Sequence, residues 1–209
     1  MRERVYIFDL GGILINLDVD RCMRAFEAIM GEEMMRAVLG MDPRGEGVKA
    51  VSVANRQLMA DFERGNISPD AFVQEVLRYC KPGTTAEQVK EAWMAMLDEL
   101  PAERLAAVDR LRAAGYPVYL LSNGNDMHFE FIDRTYGIRP RFERCFLSQE
   151  MHTAKPERTI YEAADRVVRT DHPEAKEIIF MDDIETNRLA AEQYVGWRTL
   201  SDITQIEEP

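Results

Sequence analysis

Four segments of the chain place polar side chains directly or shortly after a short apolar run, where a parallel sheet collects its ligand-binding groups. These side chains offer carboxylates, a hydroxyl beside an amide, and an ammonium group. Such a set contains the parts of a phosphoryl-transfer site, in which positioning and charge neutralisation do most of the work. In chain order they are Asp9 after VYIF, Ser122 and Asn123 after YPVYLL, Lys155 after RCFLS, and Asp182 with Asp183 after EIIFM.

The three carboxylates of Asp9, Asp182 and Asp183 would repel one another at one sheet edge unless a cation lay between them. Carboxylate oxygens are ligands that Mg²⁺ prefers, and Mg²⁺ commonly combines one or two carboxylates with a substrate phosphate. The sequence therefore predicts a magnesium site formed by these acids.

A bound phosphate would need donors as well as a metal. Lys155 and Ser122 can hold its remaining oxygens, and backbone N–H groups of Leu10 and Gly11 can add to the cradle. Glycine at 11 and 12 also permits close backbone approach and positive φ. Each segment alone is ordinary turn chemistry, and only their coincidence at the predicted strand ends indicates a site.

Nearly continuous apolar runs predict the strands that carry these groups. Continuous runs are typical of strands buried on both faces of a parallel sheet. Helical patterns over 126–135, 157–168 and 184–194 separate or follow the later runs, which indicates a doubly wound α/β sheet. The predicted strands are 5–8, 116–122, 144–148, 177–182 and, at an edge, 197–200.

The hundred or so residues between the first two strands are far more than one crossover helix needs. Helical patterns at 19–30 and 50–64 begin this segment. The simplest organisation is an α/β core made of residues 1–15 and 99–209, with a helical unit of residues 16–98 inserted after the first strand.

Capping residues mark two helices inside the predicted insertion. Ser68 and Pro69 supply an N-cap and a proline at the first helical position, for a helix that runs to about Cys80. Thr84 and Glu87 have the spacing of a capping box for the next helix.

Composition narrows the class of protein. The chain has 209 residues, 46% of them hydrophobic, and a net charge of −11 without a Lys/Arg stripe, which argues against a nucleic-acid partner. Cys22, Cys80 and Cys145 have no paired spacing, so neither a zinc site nor a disulfide framework is expected. We see no signal-peptide pattern and no transmembrane-length apolar stretch, and expect a cytoplasmic protein without a membrane partner.

The segments FDLGGIL, LLSNG, AKPERTIY and FMDDIETN, in this order and spacing, resemble the four motifs of the haloacid dehalogenase-like hydrolases. The resemblance implies a Rossmann-like core, a mobile helical cap after the first strand, and catalysis through an aspartyl-phosphate. By position in the motifs, Asp9 would be the nucleophile and a metal ligand, and Gly11 would offer its carbonyl to the metal. Asp183, with Asp182 close by, would complete the metal shell, and Asn187 would support that loop.

The same resemblance assigns the phosphate-binding residues. Ser122 would bind the phosphoryl group beside Asn123, and Lys155 would steady both the nucleophile and the phosphate. The expected activity is that of a Mg²⁺-dependent phosphatase acting on a small phosphorylated metabolite, with a sugar phosphate as one candidate substrate.

Gly11 departs from the family pattern, because most of these phosphatases carry a second aspartate two residues after the nucleophile. That carboxylate normally protonates the leaving oxygen and then activates water, and such groups contribute about 10²–10⁴ in rate. The DLG form of the motif resembles a subgroup of sugar-phosphate phosphatases. A hemiacetal or acyl phosphate, whose leaving group is less basic, would suit the missing acid.

Two histidines could replace the missing acid, and two basic residues could contact substrate. His152 stands where relatives commonly have glycine, and His128 follows the Ser-Asn-Gly-Asn loop; a surface or packing role is the simpler interpretation of each. Arg44 and Lys49 lie in a glycine-rich stretch that could face the site, although solvation is the simpler interpretation there too.

Two other classes of protein remain open. A non-catalytic phosphate-binding or regulatory module is favoured by Gly11. A metal-free 2-haloacid dehalogenase would also use an aspartate nucleophile, but it has no use for the adjacent acids Asp182 and Asp183.

Overall fold

Five parallel strands form one sheet in the order β3-β2-β1-β4-β5. The computed structural model of the chain describes residues 3–38 and 57–206. All five strands lie within one or two residues of the predicted runs, so the predicted parallel sheet is confirmed. The strands are β1 (Arg4–Phe8), β2 (Val118–Ser122), β3 (Cys145–Leu147), β4 (Glu177–Met181) and β5 (Arg198–Leu200).

The order of the strands reverses at β1, which has β2 on one side and β4 on the other. Phe8 pairs with Leu120 of β2 and with Met181 of β4, and the Asp9 N–H donates to the Met181 carbonyl at 2.8 Å. This register brings the residues after β1 and β4 to one level at a topological switch point, where open α/β sheets bind ligands. Asp9 and Asp182 are those residues.

Helices cover both faces of the sheet. The helices α6 (Ala102–Ala113) and α7 (Asp126–Tyr136) pack on one face, and α9 (Arg158–Asp171) and α10 (Glu185–Val195) pack on the other. Every residue of β2 is buried, which fits the unbroken apolar run that precedes Ser122 at its end. The predicted doubly wound α/β core is therefore confirmed, and a short helix, α8 (Ser148–Met151), follows β3.

The helices between β1 and β2 share a hydrophobic cluster of their own. At its centre the rings of Phe62 and Phe72 stack with centroids 4.1 Å apart, and Trp93 packs against both. We call this unit the cap. Its helices are α1 (Val19–Met30), α2 (Glu32–Val38), α3 (residues 57–63 of the described chain), α4 (Pro69–Leu77) and α5 (Ala86–Met94).

Two chain segments connect the cap to the core, and they lie antiparallel to each other. The Asn16 N–H donates to the Glu99 carbonyl at 2.9 Å, and the Asp18 N–H donates to the Met96 carbonyl at 2.8 Å. On this pairing we propose that residues 16–98 form the inserted domain, as the sequence predicts.

One predicted helix start is wrong by one residue. The capping box of α5 is formed by Thr85 and Gln88, not by Thr84 and Glu87. Thr84 is held instead in the preceding turn, where its N–H donates to the Lys81 carbonyl at 3.1 Å. Two adjacent threonines make both spacings plausible, and the tertiary position of the turn selects the second.

The N-terminus of α4 is as predicted, with Ser68 accepting from the Ala71 N–H and Pro69 at the first helical position. The helix ends at Leu77, slightly before the predicted end near Cys80. All three cysteines are free, and no helix in the described ranges is long and apolar enough to cross a membrane.

Candidate active site

A buried lysine joins two acids at the switch point of the sheet. The Lys155 Nζ lies 2.9 Å from Asp9 Oδ1 and 2.6 Å from Asp182 Oδ2, and it also donates to the Leu121 carbonyl at 3.0 Å. All three ionisable residues are more than nine-tenths buried. Charges removed this far from water persist only when they are paired in good geometry.

The charges in this cluster do not balance, because one ammonium group faces two carboxylates. Burial raises the pKa of Asp9 to about 7; Lys155 opposes this rise and Asp182 adds to it. Burial alone would lower the pKa of Lys155, but the two carboxylates outweigh burial and raise it. The cluster can therefore take up one more positive charge, either a proton on Asp9 or a metal cation.

The loop after β4 fixes the second carboxylate. Asn187 donates from Nδ2 to both oxygens of Asp182 at 3.1 Å, and the Ile184 N–H donates to Asp182 Oδ1 at 2.9 Å. Asn187 therefore supports the loop that carries Asp182, as the resemblance implies. Asp183 lies next to this pair and its side chain is exposed on one side. The protein atoms on its other side partly desolvate the carboxylate, and this effect together with the charge of Asp182 raises its pKa.

The three predicted metal-binding acids converge. Asp9, Asp182 and Asp183 each offer a carboxylate oxygen, and these oxygens lie within 4.8 Å of one another. Gly12 makes this approach possible: it has φ +74°, and a Cβ there would lie 2.3 Å from Asp183 Oδ2. The donor set consists of hard oxygens, which fits Mg²⁺. A metal contact by the Gly11 carbonyl stays a prediction.

The residues after β2 orient the lysine. Asn123 and Lys155 are joined twice, since Asn123 Nδ2 donates to the Lys155 carbonyl and the Lys155 N–H donates to Asn123 Oδ1, both at 2.8 Å. The amide of Asn123 is therefore engaged in holding the Lys155 loop, and a phosphate contact by its side chain stays a prediction. Ser122 is buried at the end of β2 and lines the cavity described below.

The first glycine loop also meets the site. The Leu10 N–H, expected to help bind phosphate, donates to Asp9 Oδ1 at 2.7 Å and so orients the predicted nucleophile. Gly11 lines the cavity, and a Cβ at this position would lie 3.0 Å from Leu17 Cδ1. An apolar side chain therefore borders the position of the missing acid.

A cavity of about 320 Å³ lies between core and cap. Asp9, Ser122 and Lys155 line its core side, and Glu63 and Trp93 line its cap side. This volume suits a small metabolite.

His128 lines this cavity as a buried connector between core and cap. Its Nε2 lies 3.1 Å from the Trp93 carbonyl and its Nδ1 lies 3.3 Å from Asn125 Nδ2, so we assign the proton to Nε2. Burial lowers the pKa of His128 to about 4, although the Trp93 carbonyl opposes this shift. A ring that is neutral and engaged at both nitrogens is not suited to act as the missing acid, and the packing interpretation is favoured.

His152 is exposed and is not part of the cavity lining. It has φ +55°, a conformation that glycine adopts easily, and its Nδ1 lies 2.9 Å from the Arg64 carbonyl of the cap. The structure thus gives it a connecting role at the surface. Arg44 and Lys49 lie outside the described residues.

Sequence reasoning missed three polar residues of the cavity, Glu63, Asn125 and Gln149. Gln149 stands two residues after β3, so the strand-end criterion that selected the other residues could have found it. Glu63 belongs to a cap helix, and no local pattern distinguishes it from a solvated glutamate.

Comparison with known proteins places the chain in a family. A family model described as haloacid dehalogenase-like hydrolase matches residues 3–194. The chain therefore belongs to the haloacid dehalogenase-like hydrolases, and the resemblance noted in its four motifs is confirmed.

Individual relatives agree with this assignment. The D-ribitol-5-phosphate phosphatase of Bacteroides thetaiotaomicron is 25% identical over 187 residues, covering 87% of this chain and 83% of the relative. A HAD family enzyme of the same organism, solved with magnesium and inorganic phosphate, has a TM-score of 0.75 at 29% identity, with 95% and 93% of the two chains covered. A predicted HAD-like family hydrolase from Porphyromonas gingivalis gives 0.73 at 29% identity, with 95% and 90% covered.

The His128 environment predicts a pH-dependent stability. A pKa of about 4 in the folded chain against 6.5 in the unfolded chain means that the unfolded state binds more protons between these values. The stability contributed by neutral His128 is complete above pH 6.5 and is lost as the pH falls to 4, by up to about 3 kcal/mol.

Urea denaturation of the wild type and of His128→Gln at several pH values between 4 and 7 measures this contribution. Carboxylates titrate in both proteins, so the difference in slope isolates the histidine. Parallel pH profiles for the two proteins would contradict the assignment.

Proposed function

We propose that this hydrolase is a Mg²⁺-dependent phosphatase that acts on a small sugar or polyol phosphate, with Asp9 as the nucleophile. The observation that carries the proposal is the convergence of Asp9, Lys155, Asp182 and Asp183. All of them except Asp182 line one cavity. The magnesium- and phosphate-bound relative and the D-ribitol-5-phosphate phosphatase support it.

In the proposed reaction, a carboxylate oxygen of Asp9 attacks phosphorus while the bond to the leaving oxygen breaks. The products are an aspartyl-phosphate on Asp9 and an alkoxide, which becomes the alcohol by taking a proton from water, since position 11 carries no acid. Water then attacks the same phosphorus, so that inorganic phosphate leaves and the carboxylate is regenerated. Mg²⁺ held by Asp9, Asp182 and Asp183 would supply positive charge to the phosphoryl oxygens.

The chain's own residues prepare this attack. Lys155 opposes the pKa rise that burial causes in Asp9 and holds its carboxylate in place, and its ammonium group would lie next to the reacting phosphoryl group. Ser122 can donate its hydroxyl to a phosphoryl oxygen, since its contact to the Asn123 carbonyl, at 3.3 Å, is long and exchangeable. These contacts hold charge where it develops, which is the largest part of catalysis in phosphoryl transfer.

The proposal predicts that turnover needs both Mg²⁺ and Asp9. Phosphate release from a panel of sugar and polyol phosphates, D-ribitol 5-phosphate among them, is measured with Mg²⁺ and with chelator. Asp9→Asn keeps the side-chain shape but removes the nucleophile, and should lower kcat by about 10³-fold or more. Asp70→Asn, an exposed aspartate of α4, is the matched control and should retain wild-type activity.

Turnover that persists in chelator or in Asp9→Asn would contradict the mechanism. A folded protein that binds Mg²⁺ but hydrolyses none of the panel would favour the non-catalytic module instead.

The glycine at position 11 predicts a rate limit that depends on the leaving group. With no carboxylate there, protonation of a basic alkoxide should limit hydrolysis of alcohol esters. Gly11→Asp should therefore raise kcat for an alkyl phosphate by about 10-fold or more relative to Gly11→Asn, which has the same shape without an acid. For p-nitrophenyl phosphate, whose leaving group needs no proton, the two variants should be similar.

Room for this substitution exists, because Leu17 is 44% exposed and its side chain can rotate away from a new Cβ. Equal rates for the aspartate and asparagine variants on the alkyl ester would show that leaving-group protonation is not limiting.

A further inference from the structure

One corner of the cavity contains a buried polar atom without a partner. The side-chain oxygen Oε1 of Gln149 has no hydrogen-bond partner among the residues that the structure describes, and the residue is only 6% exposed. A Cβ placed on Gly124 would lie 3.9 Å from this oxygen, so it borders the loop after β2. An unsatisfied buried acceptor is costly, and Gln149 lines the cavity, so a hydroxyl group of a bound ligand is a candidate donor to it.

The cap is pinned to the core at the same corner. The Ser148 hydroxyl donates to the Glu63 carbonyl at 2.6 Å and accepts from the Gly124 N–H at 3.0 Å. Gly65, with φ +65°, lies so close to α8 that a Cβ there would be 2.2 Å from the Gln149 carbonyl oxygen. These contacts place the end of α3 directly beside Gln149.

The side chain of Glu63 lines the same cavity, on the cap side. Solvent reaches the Glu63 side chain, but neighbouring protein atoms partly desolvate its carboxyl group. This desolvation raises the pKa of Glu63, and the charge of Arg64 opposes the rise. An ionised carboxylate there repels a phosphate dianion, so Glu63 does not belong to the phosphate site. In an in-line displacement the leaving oxygen lies opposite the attacking one, so a group facing Asp9 from the cap meets the leaving group.

Glu63 and Gln149 adjoin this corner, and both can accept hydrogen bonds from a leaving group that extends towards the cap. An apolar stretch forms much of the remaining wall and can pack against carbon atoms. Its members include Ile15, Leu17, Leu97, Phe129 and Ile132.

We propose that Glu63 and Gln149 form a subsite that binds hydroxyl groups of the leaving alcohol and so selects polyol or sugar phosphates over esters of plain alcohols. This inference rests on the proposed phosphatase function. Glu63 and Gln149 set specificity, and neither takes part in the transfer of the phosphoryl group.

The test compares two phosphate esters that differ only in hydroxyl groups, D-ribitol 5-phosphate and n-pentyl phosphate. For the wild type, kcat/KM should be about 10-fold or more higher for the polyol ester, because a site built to bind hydroxyls discriminates against an analogue that lacks them. The Gln149→Met side chain has a similar length, but its sulfur is only a weak hydrogen-bond acceptor. This variant should lower kcat/KM for the polyol ester by about 10-fold, mainly through a higher KM.

The same variant should change kcat/KM for n-pentyl phosphate by less than about 3-fold, since that ester makes no hydrogen bond to lose. Glu63→Ala should behave like Gln149→Met, and Glu63→Gln should recover part of the loss because an amide oxygen still accepts. Gln193→Met and Glu130→Gln make the same chemical changes at exposed positions of α10 and α7 and should match the wild type. Thermal melting with circular dichroism checks that each variant is folded.

The possible results distinguish a failure of the proposed subsite from a failure of the proposed phosphatase function. A wild type that hydrolyses p-nitrophenyl phosphate but does not prefer the polyol ester overturns the subsite and leaves the phosphatase intact. Equal losses on both esters also overturn it, as does a loss confined to kcat in Glu63→Gln, which would indicate proton donation. A preference for 5-aminopentyl phosphate would assign the corner to an ammonium group instead. A wild type that hydrolyses no phosphate ester overturns the proposed function and the subsite together.

Discussion

The structure of the site depends on one interaction, the contact of a single buried ammonium group with two buried carboxylates. Lys155 can bridge Asp9 and Asp182 only because β1 and β4 are adjacent, parallel and in a register that ends them at the same level. Because these groups are buried, a charge among them that lost its partner would be strongly destabilising. Supporting contacts follow from that constraint: Asn123 holds the backbone of the lysine, and Asn187 holds the second carboxylate. The carboxylates outnumber the ammonium group, so the site can still bind a proton or a metal cation.

The cap supplies the chemistry that the core lacks. The core offers carboxylates, an ammonium group and a hydroxyl, which in the proposed reaction would bind the phosphoryl group and its metal. The cap offers a carboxylate and an aromatic ring on the opposite side of the cavity, where a leaving group would lie. An antiparallel pair of segments connects the cap to the core, and contacts of His128 and Ser148 hold core and cap together at the cavity.

Residues that follow apolar runs were predictable from the sequence, because a parallel sheet brings strand ends together. Asp9, Ser122, Lys155 and the two adjacent acids were found in this way, and so were the strands and most helix boundaries. Glu63 was not, since its role comes from how the cap packs on the core and not from a local pattern. The interpretation of both histidines depended on the same packing, which buries His128 and leaves His152 at the surface. The start of α5 was misplaced because two adjacent threonines satisfy the same capping rule, and only the turn before them distinguishes the two.

Asp9, Asp182 and Asp183 should form a cation site, because the single positive charge of Lys155 does not balance their negative charges. Isothermal titration of Mg²⁺ into the wild type and into Asp183→Asn, with inorganic phosphate present, tests it most directly. Asp183 is the exposed member of the three, so its replacement leaves the buried Lys155 bridge in place. The account predicts one Mg²⁺ ion per chain and an affinity reduced by about 10-fold or more in the variant. The absence of Mg²⁺ binding by the wild type, or equal affinities for the two proteins, would contradict it.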